Sequence, residues 1–202
     1  MFTGIVKGLC PIEKLSRQGE NLKFTVSLTP ELAHSLEEGA SVAIDGVCLT
    51  AVEVKNNTVT FDAIPETIQK TTLKYLSEGK KVNVERSVRI GDEIGGHNVS
   101  GHVWGTATIS EIQAGENHRV IQFSCPSDWI KYLFPKGFIA IDGISLTLVD
   151  VLPEGRFTVH LIPETLRRTT LGFKKKNDLV NLEFDTQTQT IVDSVERYLQ
   201  SR

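Results

Sequence analysis

The sequence predicts an all-β protein: two similar Greek-key β-barrels from an internal repeat, followed by a C-terminal α-helix. Three observations lead there. Val42-Ala43-Ile44-Asp45-Gly46-Val47-Cys48-Leu49-Thr50 recurs as Ile139-Ala140-Ile141-Asp142-Gly143-Ile144-Ser145-Leu146-Thr147, and other blocks recur in the same order around it. Within each copy, short segments alternate apolar and polar residues between turn signals. The last segment changes to helical spacing. Few repeats of such length suit compact domains better than a solenoid of many short units.

In chain order, the first copy opens on Thr3-Gly4-Ile5-Val6, which matches Ser100-Gly101-His102-Val103 in the second. Phe24-Thr25-Val26-Ser27-Leu28, Thr58-Val59-Thr60-Phe61 and Val82-Asn83-Val84-Glu85 alternate as half-buried strands do. Gly19-Glu20-Asn21, Asn56-Asn57 and Gly79 mark turns between them, as Gly115 and Pro153-Glu154-Gly155 do in the second copy. Short helices are expected at 29–36 and 127–133, with Thr29 and Ser127 as N-caps and Pro30 in the first helical position. Ile64-Pro65-Glu66-Thr67 and Thr71-Thr72-Leu73 return as Ile162-Pro163-Glu164-Thr165 and Thr169-Thr170-Leu171. Gly91-Asp92-Glu93-Ile94-Gly95-Gly96 lacks the Gly-Lys-Ser/Thr ending of a phosphate loop and reads as the junction between copies. The strands, with one long excursion per copy, fit a closed barrel in each. From 188 onward, Val192, Val195 and Leu199 form one stripe of a helix too short to stand alone, so it must pack on its own barrel or bundle with other subunits; we expect the bundle. The expected units are therefore 1–97, 98–187 and 188–202.

Composition narrows the function classes. The balance of 22 basic against 25 acidic residues gives no electrostatic reason for nucleic acid or an anionic membrane as partner. No apolar run reaches membrane-helix length and no secretory signal is seen, so a soluble, cytoplasmic protein is expected. Cys10, Cys48 and Cys125 are odd in number and widely spaced, which disfavours a disulfide framework or metal knuckle. His97 and His102 lack helical ligand spacing and no third ligand is evident, so no metal site is expected. Gly143-Ile144-Ser145-Leu146-Thr147 lacks the second glycine of a nucleophile elbow.

Chemistry should concentrate where the copies differ. Cys48 faces Ser145, His102 faces Ile5, and Asp62 faces His160. A lone cysteine is more often a small buried apolar residue, and a lone histidine a satisfied structural one. Cys10 and Cys125 keep that reading, and Trp104 and Trp129 read as packing. His102 stands apart because it replaces an apolar partner beside a glycine.

Met1-Phe2-Thr3-Gly4-Ile5-Val6, Gly46-Val47-Cys48-Leu49-Thr50, Gly95-Gly96-His97-Asn98-Val99-Ser100-Gly101-His102, Ile141–Thr147 and His160–Thr165 together resemble the riboflavin synthase family, over essentially the whole chain. The resemblance implies a homotrimer and a cofactor-free reaction in which one 6,7-dimethyl-8-ribityllumazine gives a four-carbon unit to another. The products would be riboflavin and 5-amino-6-(ribitylamino)uracil, and lumazine synthase is a candidate partner. Two identical substrates need two sites of nearly the same shape, which the doubling supplies. We expect ligand contacts from Gly4, Ile5, Val6, Ser41, Cys48, Leu49, Thr50, Asp62, Ala63, Ile64, Pro65, Glu66 and Thr67. From the second copy we expect Gly101, His102, Val103, Lys136, Ser145, Leu146, Thr147, His160, Leu161, Ile162, Pro163, Glu164 and Thr165. Each copy carries three matched segments: Gly4–Val6 with Gly101–Val103, Cys48–Thr50 with Ser145–Thr147, and Asp62–Thr67 with His160–Thr165. Activation requires loss of a proton from the methyl on ring carbon 7 and nucleophilic addition at the partner ring. His102 and Cys48 are the first candidates, supported by Ser145, Thr147 and Asp185. Which barrel holds donor or acceptor stays open. The alternative is a non-catalytic lumazine or flavin carrier. A flavin-dependent reductase would need a nicotinamide-binding domain, for which no residues remain.

Overall fold

The structure, a computed structural model, describes residues 1–116 and 118–201. Strands β1 (Gly8–Gln18), β2 (Asn21–Ser27), β3 (Ser41–Ile44), β4 (Val47–Lys55), β5 (Thr58–Ala63) and β6 (Lys81–Arg86) close an antiparallel barrel in the order β1-β2-β5-β4-β3-β6. The alternation in β2 turns Leu22, Phe24 and Val26 inward, where Phe24 meets Phe61 at 5.7 Å. Helix α1 (Pro30–Ala33) is capped by Thr29, whose hydroxyl accepts the Leu32 amide at 3.3 Å, and α2 (Pro65–Lys70) follows β5.

The second copy repeats this plan with β7 (Gly105–Ala114), β8 (Arg119–Ser124), β9 (Phe138–Ile141), β10 (Ile144–Thr147), β11 (Val151–Leu152), β12 (Arg156–Leu161) and β13 (Leu179–Phe184). Its sheet order is β10-β9-β13-β7-β8-β12-β11, and here the expected closed ladder is interrupted. β10 and β11 are two pieces of the strand that runs unbroken as β4 in the first copy. At the break Asp150 turns aside: its amide and carboxylate bond the Thr158 hydroxyl at 3.1 and 3.0 Å. The gap is spanned by Val149 N–H to Thr158 O and Thr158 N–H to Asp150 O, each 2.9 Å. The first barrel shows its own irregularity between Ala51 and Glu53, so both copies bend here and the second bends further.

Ser127 is not an N-cap. Residues Ser127–Tyr132 form a 3-10 helix that follows Pro126, without a side-chain cap. Helix α3 (Pro163–Arg168) matches α2, and α4 (Thr186–Gln200) ends the chain. Helix α4 starts before the expected 188 because Asp185 caps it, accepting the Thr188 amide and hydroxyl at 2.9 Å each. The apolar stripe divides. Val192 packs on the second core, and Tyr132 O–H bonds Asp193 at 2.6 Å, whereas Val195 and Leu199 stay 52% and 66% exposed.

The Asp-Gly turns of the repeat join the two barrels. Asp45 and Asp142 both adopt positive φ, and Gly46 and Gly143 press backbone to backbone; a Cβ on Gly46 would lie 2.5 Å from the Gly143 nitrogen. The Asn83 side-chain amide donates to Asp142 O and Thr170 Oγ1 at 2.9 Å, and that of Asn181 donates to Asp45 O at 2.8 Å. Lys174, with no cationic counterpart in the first copy, reaches Asp142 Oδ2 at 3.0 Å. Among the described residues no hydrogen bond of good geometry reaches that oxygen, so the ion pair is what offsets its burial.

Burial, and then the charge of Asp142, pushes the Asp45 carboxyl up to about 7, with Lys174 and Lys80 pulling the other way. The folded chain therefore keeps a proton that the unfolded chain releases near 3.8, and stability should fall as pH rises between these values. Asp45→Asn keeps the acceptor for the Asn83 amide, so it should flatten that part of the curve and raise Tm above neutral pH. Calorimetry across the range checks this; an unchanged slope would exclude Asp45 as its source.

Candidate functional site

The segments before each first strand cross over. Phe2 and Val99 pair in antiparallel fashion and share a small apolar cluster with Ala43 and Ala140. From there the 3–6 segment runs to the second barrel: Gly4 O accepts the Ser145 amide at 2.8 Å, and Val6 is buried in the second core. The 100–103 segment runs to the first: Gly101 O accepts the Cys48 amide at 2.9 Å, and Val103 packs on the first core. Each site thus takes its glycine segment from the other copy. The glycines are required. Gly4 and Gly101 have φ near +75° and +81°, and a Cβ on either would lie 2.5–2.6 Å from the Cβ of Ser145 or Cys48.

The first site is a cleft of about 280 Å³ lined by Cys48, Glu66, Thr67, Gly101, His102 and Val103, among others. The half-buried Cys48 follows the Asp45-Gly46 turn on β4, next to buried Leu49 and exposed Thr50, while Ser41 pairs with Thr50 from β3. Ala63, Ile64 and Pro65 carry the chain from β5 into α2, and Thr71 Oγ1 donates to Thr67 O at 2.6 Å. Asp62 leaves this group; it lies 3.8 Å from Lys23 and lines an outer trough of the barrel.

Around the second site stand Gly4, Ile5 and Val6 with Ser145, Leu146 and Thr147 of β10. His160, Leu161, Ile162, Pro163, Glu164 and Thr165 lead from β12 into α3, where Glu164 pairs with Arg167 and Arg168. The exposed His160 ring stacks on His118 at 6.3 Å instead of copying Asp62. Lys136 donates its amide to Leu148 O at 2.8 Å, beside Thr147. It holds φ +68 where the first copy has Gly39, an uncommon conformation for a lysine.

One residue dismissed as a metal ligand belongs to this second site. Buried His97 sets Nδ1 2.7 Å from Ser145 Oγ, and its ring stacks on Phe138 at 5.0 Å. Burial lowers the His97 pKa, while the charge of Asp185 opposes the shift. Asp185 is thus first a helix cap and second an electrostatic neighbour of His97. Gly96 permits the approach, since a Cβ there would lie 2.2 Å from Thr3 O. The first site has a thiol, Cys48, at the matching place, and among the described residues no histidine hydrogen-bonds it. Cys10 and Cys125 are buried, and burial pushes the Cys125 thiol up to about 11. Among the described residues no group of three or more His, Cys, Asp or Glu could hold a metal ion.

The lumazine binding domain family matches this chain twice, at residues 3–87 and 100–185. Riboflavin synthase of Escherichia coli (strain K12) is 49% identical over all of this chain and 95% of its own length. The chain belongs to the riboflavin synthase family. The riboflavin synthase of Chlamydia pneumoniae is 46% identical over all of this chain and 98% of its own. Among solved structures, LumP complexed with riboflavin superposes with a TM-score of 0.85 at 27% identity, covering 92% of this chain and 100% of LumP. LumP complexed with 6,7-dimethyl-8-(1'-D-ribityl) lumazine gives 0.81 at 28% identity, covering 91% and 98%. The twofold family match falls on the two halves of the doubled fold described above.

Proposed function

We propose that this chain disproportionates two 6,7-dimethyl-8-ribityllumazine molecules into riboflavin and 5-amino-6-(ribitylamino)uracil. The observation that carries it is a pair of sites built alike but armed differently, with Cys48 and His102 in the first and Ser145 and His97 in the second. A carrier would need one intact site; here both copies keep the glycine segment closed on its partner strand, Gly101 on Cys48 and Gly4 on Ser145. With Nδ1 unprotonated, His97 accepts the Ser145 hydroxyl hydrogen and can draw its proton as the oxygen acts. His102, exposed at the mouth of the first cleft, is placed to exchange the proton of the ring methyl with solvent. Thr50 and Thr147, with the segments entering α2 and α3, offer hydroxyls and backbone groups to the ring edge and ribityl chain. Lys136 is tied by its backbone to Leu148, next to Thr147 in the chain. Purified protein given the lumazine alone should yield one riboflavin per two lumazines consumed. Dependence on a nicotinamide, or loss of activity to a chelator, would remove this reading.

The assembly we propose is a homotrimer in the cytoplasm, a reducing compartment that suits three free cysteines. Among the described residues no helix is long and apolar enough to cross a membrane. The proposed units are 1–97, 98–187 and 188–202: each barrel contributes one ligand site that the other copy's glycine segment completes, and the last unit serves assembly. Ile191, Val195 and Leu199 leave a contiguous apolar face on α4, which covering by like helices would stabilise by roughly 1.5–3 kcal/mol per side chain. Deleting 188–202 should lower the oligomer mass in light scattering and make specific activity fall on dilution, while riboflavin still binds. Full activity in a monomeric truncation would place the productive site within one chain. The ribitylaminouracil released is a precursor that a lumazine-forming enzyme could consume, which is the chemical ground for lumazine synthase as a partner.

A further inference from the structure

Two buried glutamates, 5% and 6% exposed, occupy matching places in the copies: Glu85 on β6 and Glu183 on β13. Neither meets a cation within ion-pair distance among the described residues, and each is spent on one loop. Glu85 Oε1 accepts the Thr3 amide and hydroxyl at 2.7 Å each, and its Oε2 accepts the Gly4 amide at 3.0 Å. Glu183 Oε1 accepts the Ser100 amide at 2.6 Å and hydroxyl at 2.8 Å, and its Oε2 accepts the Gly101 amide at 2.9 Å. The hydroxyls pass the constraint on: Thr3 Oγ1 accepts the Ile5 amide at 3.3 Å, and Ser100 Oγ accepts the His102 amide at 3.2 Å. A carboxylate removed from water is costly unless its lone pairs are filled, so each glutamate holds its loop with charge-assisted bonds.

Because the loops cross over, each glutamate belongs to the barrel opposite the site its loop completes. Glu85 sits in the first barrel, but Gly4 closes on Ser145 in the second. Glu183 sits in the second, but Gly101 and His102 close on Cys48 in the first. We infer that Glu85 and Glu183 are reciprocal positioning residues, each setting the glycine loop of the other barrel's ligand site, with Glu183 fixing the backbone that carries His102. Glu183 is not among the residues that line the first cleft, and the two sites are thereby built as one unit. The inference rests on the proposed lumazine and riboflavin sites.

Glu85→Gln and Glu183→Gln keep the side-chain shape but turn an amide donor toward the loop's N–H groups. Riboflavin titration by fluorescence counts sites in the full-length protein, and protection of the half-buried Cys48 from iodoacetamide reports the first site alone. Glu85→Gln should weaken one class of riboflavin sites about tenfold and leave the Cys48 protection midpoint unchanged. Glu183→Gln should move that midpoint about tenfold and lower kcat more than Glu85→Gln does, since it also loosens His102. A structural role within each glutamate's own barrel predicts the reverse, with Glu85→Gln disturbing Cys48 protection; that result, or no site-selective change, would overturn the assignment. If either variant fails to fold, Thr3→Ala and Ser100→Ala remove a single donor from the same carboxylates and should show the same selectivity more weakly. Wild-type protein that binds no riboflavin would instead remove the site reading on which this rests.

Discussion

His102→Ala should lower turnover by ~100-fold while changing riboflavin affinity by less than about threefold. The residue lines the first cleft, yet its backbone place is fixed by Gly101, Ser100 and Glu183, so truncating the side chain leaves the cleft standing. The matching residue, Ile5, shows that a loop of this shape forms without an imidazole. Cys48→Ala should also cost more in turnover than in binding, whereas Cys10→Ala, inside the first core, should change Tm and leave kcat within about twofold. Steady-state rates and riboflavin titrations on the three variants check this. Equal losses of activity in Cys48→Ala and Cys10→Ala would show that the differences between the copies do not mark the chemistry.

Much of this architecture was legible in the sequence because burial repeats with the strand period. Leu22, Phe24 and Val26 had to face one way, and the doubled Asp-Gly turn announced two copies of one fold. The crossing was not legible, for a physical reason. Gly4 and Gly101 present the same carbonyl, and Cys48 and Ser145 the same amide, so local chemistry is nearly equal for pairing within a copy or across copies. What decides is three-dimensional: the Phe2–Val99 pair at the barrel junction sends each segment outward to the opposite side. His97 escaped notice because the match between the copies was followed only from Thr3 and Ser100, beyond it. The signal that was available is Gly95-Gly96 before it, two residues without side chains where His97 must press against Ser145. Asp185 looked catalytic from the resemblance, and the Thr188 position three residues on marked it equally as a helix cap. The break between β10 and β11 was hidden because Leu146 and Leu148 continue the apolar alternation through it.

Gly101→Ala should abolish ligand binding at the first site and destabilise the whole chain. Its φ of +81° alone costs an alanine about 1–2 kcal/mol. The added methyl then meets Cys48 Cβ at 2.6 Å and Phe2 Cε2 at 2.9 Å, and neither can retreat: Phe2 is 1% exposed and Cys48 is held by its own amide bond to Gly101. Overpacking of that kind adds about 1–3 kcal/mol. At about 2–4 °C per kcal/mol for a chain of this size, Tm should drop by roughly 4–20 °C. Gly19→Ala separates the two causes, since Gly19 has φ +61 but nothing within 4 Å of the new methyl. It should carry the backbone cost alone, with riboflavin binding and Cys48 protection intact. Calorimetry and riboflavin titration on both variants read the difference. If Gly101→Ala bound riboflavin at both sites with wild-type affinity, the 100–103 segment would not form part of the first site, and the crossing would be a feature of folding without consequence for the ligand.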